Sequence, residues 1–86
     1  MAADPSLPHP VDVHVGGRVS ALRRQRALSL EDLAERIAVS AHQLTKYENG
    51  ANRIAASRLY AIAQALRVSV LELFDGLPGP SLDQDR

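Results

Sequence analysis

Apolar residues recur three and four positions apart in five short segments of this chain, the spacing that lays one side of an α-helix against a core. Val15, Val19 and Leu22 mark a first helix; Leu30, Leu33, Ala34 and Ile37 mark a second; Leu44 and Tyr47 line a short third. Leu59, Ile62, Ala63 and Leu66 give a fourth, and Val70, Leu71 and Phe74 a fifth, with Leu73 out of phase with the buried stripe. The polar punctuation agrees. Ser29 precedes Asp32 by three residues, Ser40 precedes Gln43 and Ser69 precedes Glu72, the capping-box pattern or its Asp variant, which covers the orphan amides of a helix start. Ala55 stands where the fourth helix needs a cap, with Ser57 already in its first turn, so that end is expected to be looser or satisfied from outside. The third helix should stop at Asn49-Gly50, where glycine takes up the left-handed conformation. Met1 to Pro10, with Pro5, Pro8 and Pro10, reads as a flexible arm, and Gly76 to Arg86, with Pro78, Gly79 and Pro80, as a disordered tail. The expected folded unit is residues 11–75.

Composition narrows the class. Eighty-six residues hold one domain, and 45% hydrophobic with 3% aromatic content means a core of Leu, Ile, Val and Ala, the palette of packed helices. The expected fold is all-α, a compact five-helix domain. There is no cysteine, hence no disulfide and no thiolate zinc site; of the three histidines, His9 and His14 lie in or beside the arm and only His42 falls within the helices, so neither metal nor cofactor is expected. No apolar run approaches the ~20 residues that span a bilayer, which leaves no membrane partner. The first residues, with Asp4 and three prolines in place of a basic start and an apolar stretch, do not form a secretory signal; a cytoplasmic, nucleoid-associated location is expected. With no glycine-rich phosphate loop and no nucleophile beside an oriented base, an enzyme is not expected.

Formal net charge is zero, which at first argues against a polyanionic partner. Residues 16–67, however, hold nine basic side chains (Arg18, Arg23, Arg24, Arg26, Arg36, Lys46, Arg53, Arg58, Arg67) against four acidic ones (Glu31, Asp32, Glu35, Glu48). The acidic excess sits in the flanks. Beyond a Debye length of ~8 Å such charges are largely screened, so the basic middle can neutralise phosphates locally.

Only Ala38, Val39 and Ser40 separate the second and third helices, a connection short enough to set them at a steep angle, as in a helix-turn-helix. Small Ala34 lets the helices approach, and Val39 and Leu44 face inward. The outer face of the third helix, a recognition helix from Ser40 to Asn49, is then Ala41, His42, Gln43, Thr45, Lys46 and Asn49, nearly all of them hydrogen-bonding and suited to a groove of base edges.

The run Leu28-Ser29-Leu30-Glu31-Asp32-Leu33-Ala34, the turn Ala38-Val39-Ser40, and Lys46-Tyr47-Glu48-Asn49-Gly50 together resemble the Cro/repressor (Xre-type) helix-turn-helix family. Leu59, Ile62, Ala63, Leu66 and Val68 fall at the same family spacing, so the likeness covers roughly Gly16 to Phe74; the string from Lys46 to Ile54 is similar to a version frequent in alphaproteobacterial regulators. The resemblance implies a lambda-repressor-like domain binding double-stranded DNA through the major groove, a transcriptional regulator that represses from an inverted-repeat operator as a homodimer. It implies base reading by Ala41, His42 and Lys46: Ala41 against a thymine methyl, Lys46 to guanine, and His42 to a base its tautomer decides. Two roles compete for Gln43, pairing with adenine and bending back to the Ser40 cap. Backbone contacts are implied at Ser29, Thr45, Asn49, Asn52 and, foremost, Arg53. Glu48 is implied to turn inward and pair with Arg23, while Arg18, Arg24, Arg26 and Arg58 read as surface charge. Two positions depart from the family: Leu30 stands where a phosphate-binding glutamine is usual, and Ala38 where glycine is usual, at about 1 kcal/mol if it is left-handed. For a homodimer the expected contact is Val70, Leu71, Leu73 and Phe74, Leu73 above all. The alternative function is an antitoxin that binds a toxin partner and its own promoter.

Overall fold

The computed structural model describes residues 7–79; residues 1–6 and 80–86, which hold much of the expected arm and tail, lie outside it. Four α-helices, α1 (Pro10–Gln25), α2 (Leu30–Arg36), α3 (Ala41–Glu48) and α4 (Ala56–Leu66), are followed by a 3₁₀ turn at Val70–Phe74. α1 starts at Pro10, in the first turn, where a missing N–H costs no intrahelical bond. The Nδ1 of His9 accepts the Val11 amide at 3.1 Å and caps it. No helix among the described residues is long and apolar enough to cross a membrane.

Three helices end in the same way. Ala27, Ala38 and Arg67 take φ of +57°, +60° and +59° after α1, α2 and α4. In each case the next amide reaches back to a helix carbonyl: Leu28 to Arg23 at 3.1 Å, Val39 to Ala34 at 3.0 Å and Val68 to Ala63 at 3.0 Å. These are Schellman closures, made here without glycine. Arginines cover further carbonyls at helix ends, where the helix dipole is negative. Arg58 Nη1 donates to the Ile37 carbonyl after α2, and Arg26 Nε to that of Leu66 in α4 at 2.8 Å. Arg18 Nε donates to the Glu72 carbonyl at 2.8 Å. Three arginines that read as surface charge are therefore tied to backbone.

The core gathers Val15, Val19 and Leu22 of α1, Leu33, Ala34 and Ile37 of α2 and its cap, Leu44 of α3, Ile62, Ala63 and Leu66 of α4, and Leu73. Leu73 corrects the expectation from an α-helical period. The segment after Ser69 is wound in 3₁₀ fashion, with the Glu72 amide on the Ser69 carbonyl at 2.9 Å. At three residues per turn Val70 and Leu73 share a side. Leu73 is therefore fully buried within one chain and has no surface to give a second copy, while Leu71 is 77% exposed.

Capping is likewise uneven. Ser29 forms both halves of the box with Asp32, Ser40 covers the Gln43 amide with its hydroxyl, and Ser69 covers Leu71 rather than Glu72. Ala55 gives α4 no side-chain cap.

Candidate nucleic-acid interface

The α2–α3 unit is set by its apolar side. Leu33 and Leu44 are fully buried and Ala34 is 2% exposed, so the small side chain at 34 admits the close approach of α3. Ala41, Val39 and Tyr47 pack at the edge of this core. Burying Leu44 turns His42 and Thr45 outward, with Gln43 and Lys46 half-buried beside them.

α1 clamps the far end of α3. A Cβ on Gly16 would collide with the carbonyls of Tyr47 and Glu48, and one on Gly50 (φ +78°) would lie 2.7 Å from the Val13 Cα. Two glycines thus bring the helices to backbone contact. Farther along α1, Arg23 Nε donates to Glu48 Oε2 at 2.8 Å and Nη2 to Oε1 at 3.0 Å, while Nη1 donates to the Leu28 carbonyl at 3.0 Å. Glu48 holds the guanidinium pKa above its ordinary value through these bonds. The acid of the motif is consequently turned away from any phosphate.

The loop after α3 folds back on it. The Asn49 side-chain oxygen accepts the Ala51 amide at 2.9 Å, and the Asn52 amide donates to the Lys46 carbonyl at 3.2 Å. Gln43 Nε2 then donates to Asn52 Oδ1 at 3.3 Å. Of its two competing roles, bending back to the cap is the one not taken: only the Gln43 backbone serves Ser40, at 3.0 Å. Thr45 donates its hydroxyl to the Ala41 carbonyl at 3.1 Å, leaving oxygen lone pairs outward.

At the start of α2 the Ser29 amide donates to Asp32 Oδ2 at 3.1 Å. Hydrogen bonds from the Ser29 backbone and hydroxyl hold the Asp32 carboxyl below its ordinary pKa. A phosphate here would meet that carboxylate, toward which the Ser29 amide and hydroxyl are already turned.

Arg53 has a partner that sequence reasoning missed. Its Nε donates to Asp12 Oδ2 at 3.0 Å and Oδ1 at 3.3 Å. The Arg53 side chain is 72% exposed and that of Asp12 18%, and the bonds to Asp12 use only Nε. Nothing in the sequence links positions 41 residues apart; Asp12 registers there only as part of an acidic flank. The basic middle is weaker than its residue count, because Arg18, Arg23 and Arg53 each have a carboxylate within 4.0 Å. Lys46 has none among the described residues and supplies positive charge on α3 itself.

The chain is similar to known proteins in sequence and in fold. A Rhodospirillum rubrum protein described as an uncharacterized transcriptional regulator in the ATPase CF(0) region is 54% identical over 69 residues, 80% of this chain and 64% of that protein. An uncharacterized HTH-type transcriptional regulator of Sinorhizobium medicae is 40% identical over 79 residues, 92% of this chain and 57% of that one. The chain therefore spans less than two thirds of the length of either relative. Among solved structures, the restriction-modification controller protein C.AhdI from Aeromonas hydrophila matches with a TM-score of 0.73 at 27% identity, over 77% of this chain and 100% of that one. The biofilm master regulator SinR, solved in complex with DNA, matches with a TM-score of 0.66 at 29% identity, over 71% and 98%. The helix-turn-helix model HTH_3 matches residues 19–73, well over half of the chain and all of the α2–α3 unit; the chain belongs to this Xre-type helix-turn-helix family.

Proposed function

We propose that this chain is the DNA-binding unit of a transcriptional regulator and inserts α3 into the major groove of double-stranded DNA. One observation carries the reading: the outer side of α3 and the loop folded against it bring His42, Gln43, Lys46 and Asn52 together as a polar surface, on a helix fastened by Arg23 and Glu48. In this reading His42, Gln43 and Lys46 meet base edges, Ala41 offers a methyl to thymine, and Arg53 and Asn52 meet the backbone with support from Thr45, Asn49 and Ser29. The likeness to SinR, solved on DNA, supports it.

A recognition helix of eight residues reads only a few base pairs, so two copies are needed on half-sites about one helical turn, ~34 Å, apart. Leu71, with half-buried Phe74 three residues on, is the apolar side chain offered for that pairing. Blocking polymerase at such an operator gives repression. Selection from a randomised duplex library, followed by sedimentation of the chain on the enriched site, tests this. An inverted repeat holding two copies is expected. No enriched sequence, or affinity indifferent to salt, would overturn DNA reading and favour a protein partner instead.

A further inference from the structure

We infer that Asn52 is a positioning residue for base recognition: by fixing which way the Gln43 amide faces, it makes adenine the base preferred opposite Gln43. This rests on α3 entering the major groove. A glutamine side chain has three rotatable bonds and an amide whose two ends, one donor and one acceptor, exchange on a half-turn. Adenine presents an N6 donor beside an N7 acceptor, so bidentate pairing needs the glutamine oxygen and nitrogen in one sense only. An untethered glutamine loses rotamer entropy and offers the reversed amide to other bases.

Here the sense is set within the protein. Gln43 Nε2 gives one hydrogen to Asn52 Oδ1 at 3.3 Å, which leaves its second N–H and Oε1 as the pair adenine requires. The backbone of Asn52 is itself held, because its N–H donates to the Lys46 carbonyl at 3.2 Å and the turn before it is closed by the Asn49 side chain at 2.9 Å and by left-handed Gly50. The loop thus returns an acceptor to the middle of the reading face. Gln43 and Lys46, one helical turn apart, are joined through it, Gln43 by the Asn52 side chain and Lys46 by the Asn52 backbone.

The test is library selection with the 86-residue chain and with Gln43→Ala, Asn52→Ala and Asn52→Asp, each first checked by thermal melting; Asn52 is exposed and in a loop, so melting close to wild type is expected. Gln43→Ala locates the operator position that Gln43 reads. Asn52→Ala should reduce the adenine preference at that same position about tenfold, leaving the other positions and the salt slope as they were. Asn52→Asp, which keeps an acceptor for Gln43, should retain that preference while binding every sequence more weakly through its added charge. The inference is overturned if Asn52→Ala weakens all sequences alike with the adenine preference intact, or if the wild-type motif has no adenine there. If the wild-type chain enriches no motif at all, DNA reading itself fails and the inference with it, a result distinct from either of those.

Discussion

The Arg23 guanidinium holds both oxygens of the Glu48 carboxylate and the Leu28 carbonyl at once, with each side chain of the pair only 10% exposed. One residue of α1 thereby joins the end of α3 to the turn before α2. Glu48→Ala would leave the guanidinium buried without its counter-charge. The expected loss is about 3 kcal/mol, or a fall in melting temperature of more than ~10 °C for a domain this small. A melting curve matching wild type would show that the pair holds nothing together.

Left-handed Ala27 and Ala38 carry strain that glycine would relieve, since the clash comes from Cβ. Each change to glycine also widens the unfolded ensemble, which offsets part of the gain. Ala27→Gly and Ala38→Gly should each stabilise by roughly 0.5–1 kcal/mol. They lie in separate turns, so the double variant should show the sum within ~0.5 kcal/mol. Chemical denaturation with an unchanged m-value checks this; a loss of stability at either site would contradict the strain.

Gly16 and Gly17 are neighbours in one helix with opposite prospects. A Cβ at 16 runs into the carbonyls of Tyr47 and Glu48, whereas at 17 nothing lies within 4 Å. Gly17→Ala should stabilise by ~0.5–1 kcal/mol through helix propensity alone. Gly16→Ala should destabilise despite the same propensity gain, because α1 must move off α3. Equal effects in thermal melts would mean that the helices are not in backbone contact.

Arg53 is held through Nε alone by Asp12, a geometry that leaves the Nη N–H groups for a phosphate. Arg53→Ala should weaken binding to matched and mismatched duplexes by the same factor and lower the slope of log affinity against log salt by about 0.9. An unchanged slope would mean that Arg53 stays with Asp12 and meets no phosphate.

The α2–α3 unit was legible because its parts are contiguous. Short-range spacing of Leu30, Leu33, Ala34 and Ile37, the Ser29 and Ser40 caps, and the Gly50 stop each act over one or two helical turns, and a helix needs little more to declare itself. The fifth segment defeated the same reasoning. Five residues are too few for period alone to separate 3.6 from 3.0 residues per turn, and packing beneath α1 and α4 decides the winding that buries Leu73 and exposes Leu71.

The amino-acid sequence by itself determined where the helices lie, which side of each is apolar, and that α3 carries a polar outer face, since all of these follow from interactions between near neighbours along the chain. Only the tertiary structure decided what the polar side chains do. Arg58 reaching the Ile37 carbonyl, Arg53 held by Asp12, and Gln43 turned to Asn52 depend on where separate segments come to rest. A long, flexible polar side chain has many partners of matching chemistry within reach, and its choice is made by the folded backbone that brings one of them within hydrogen-bonding distance.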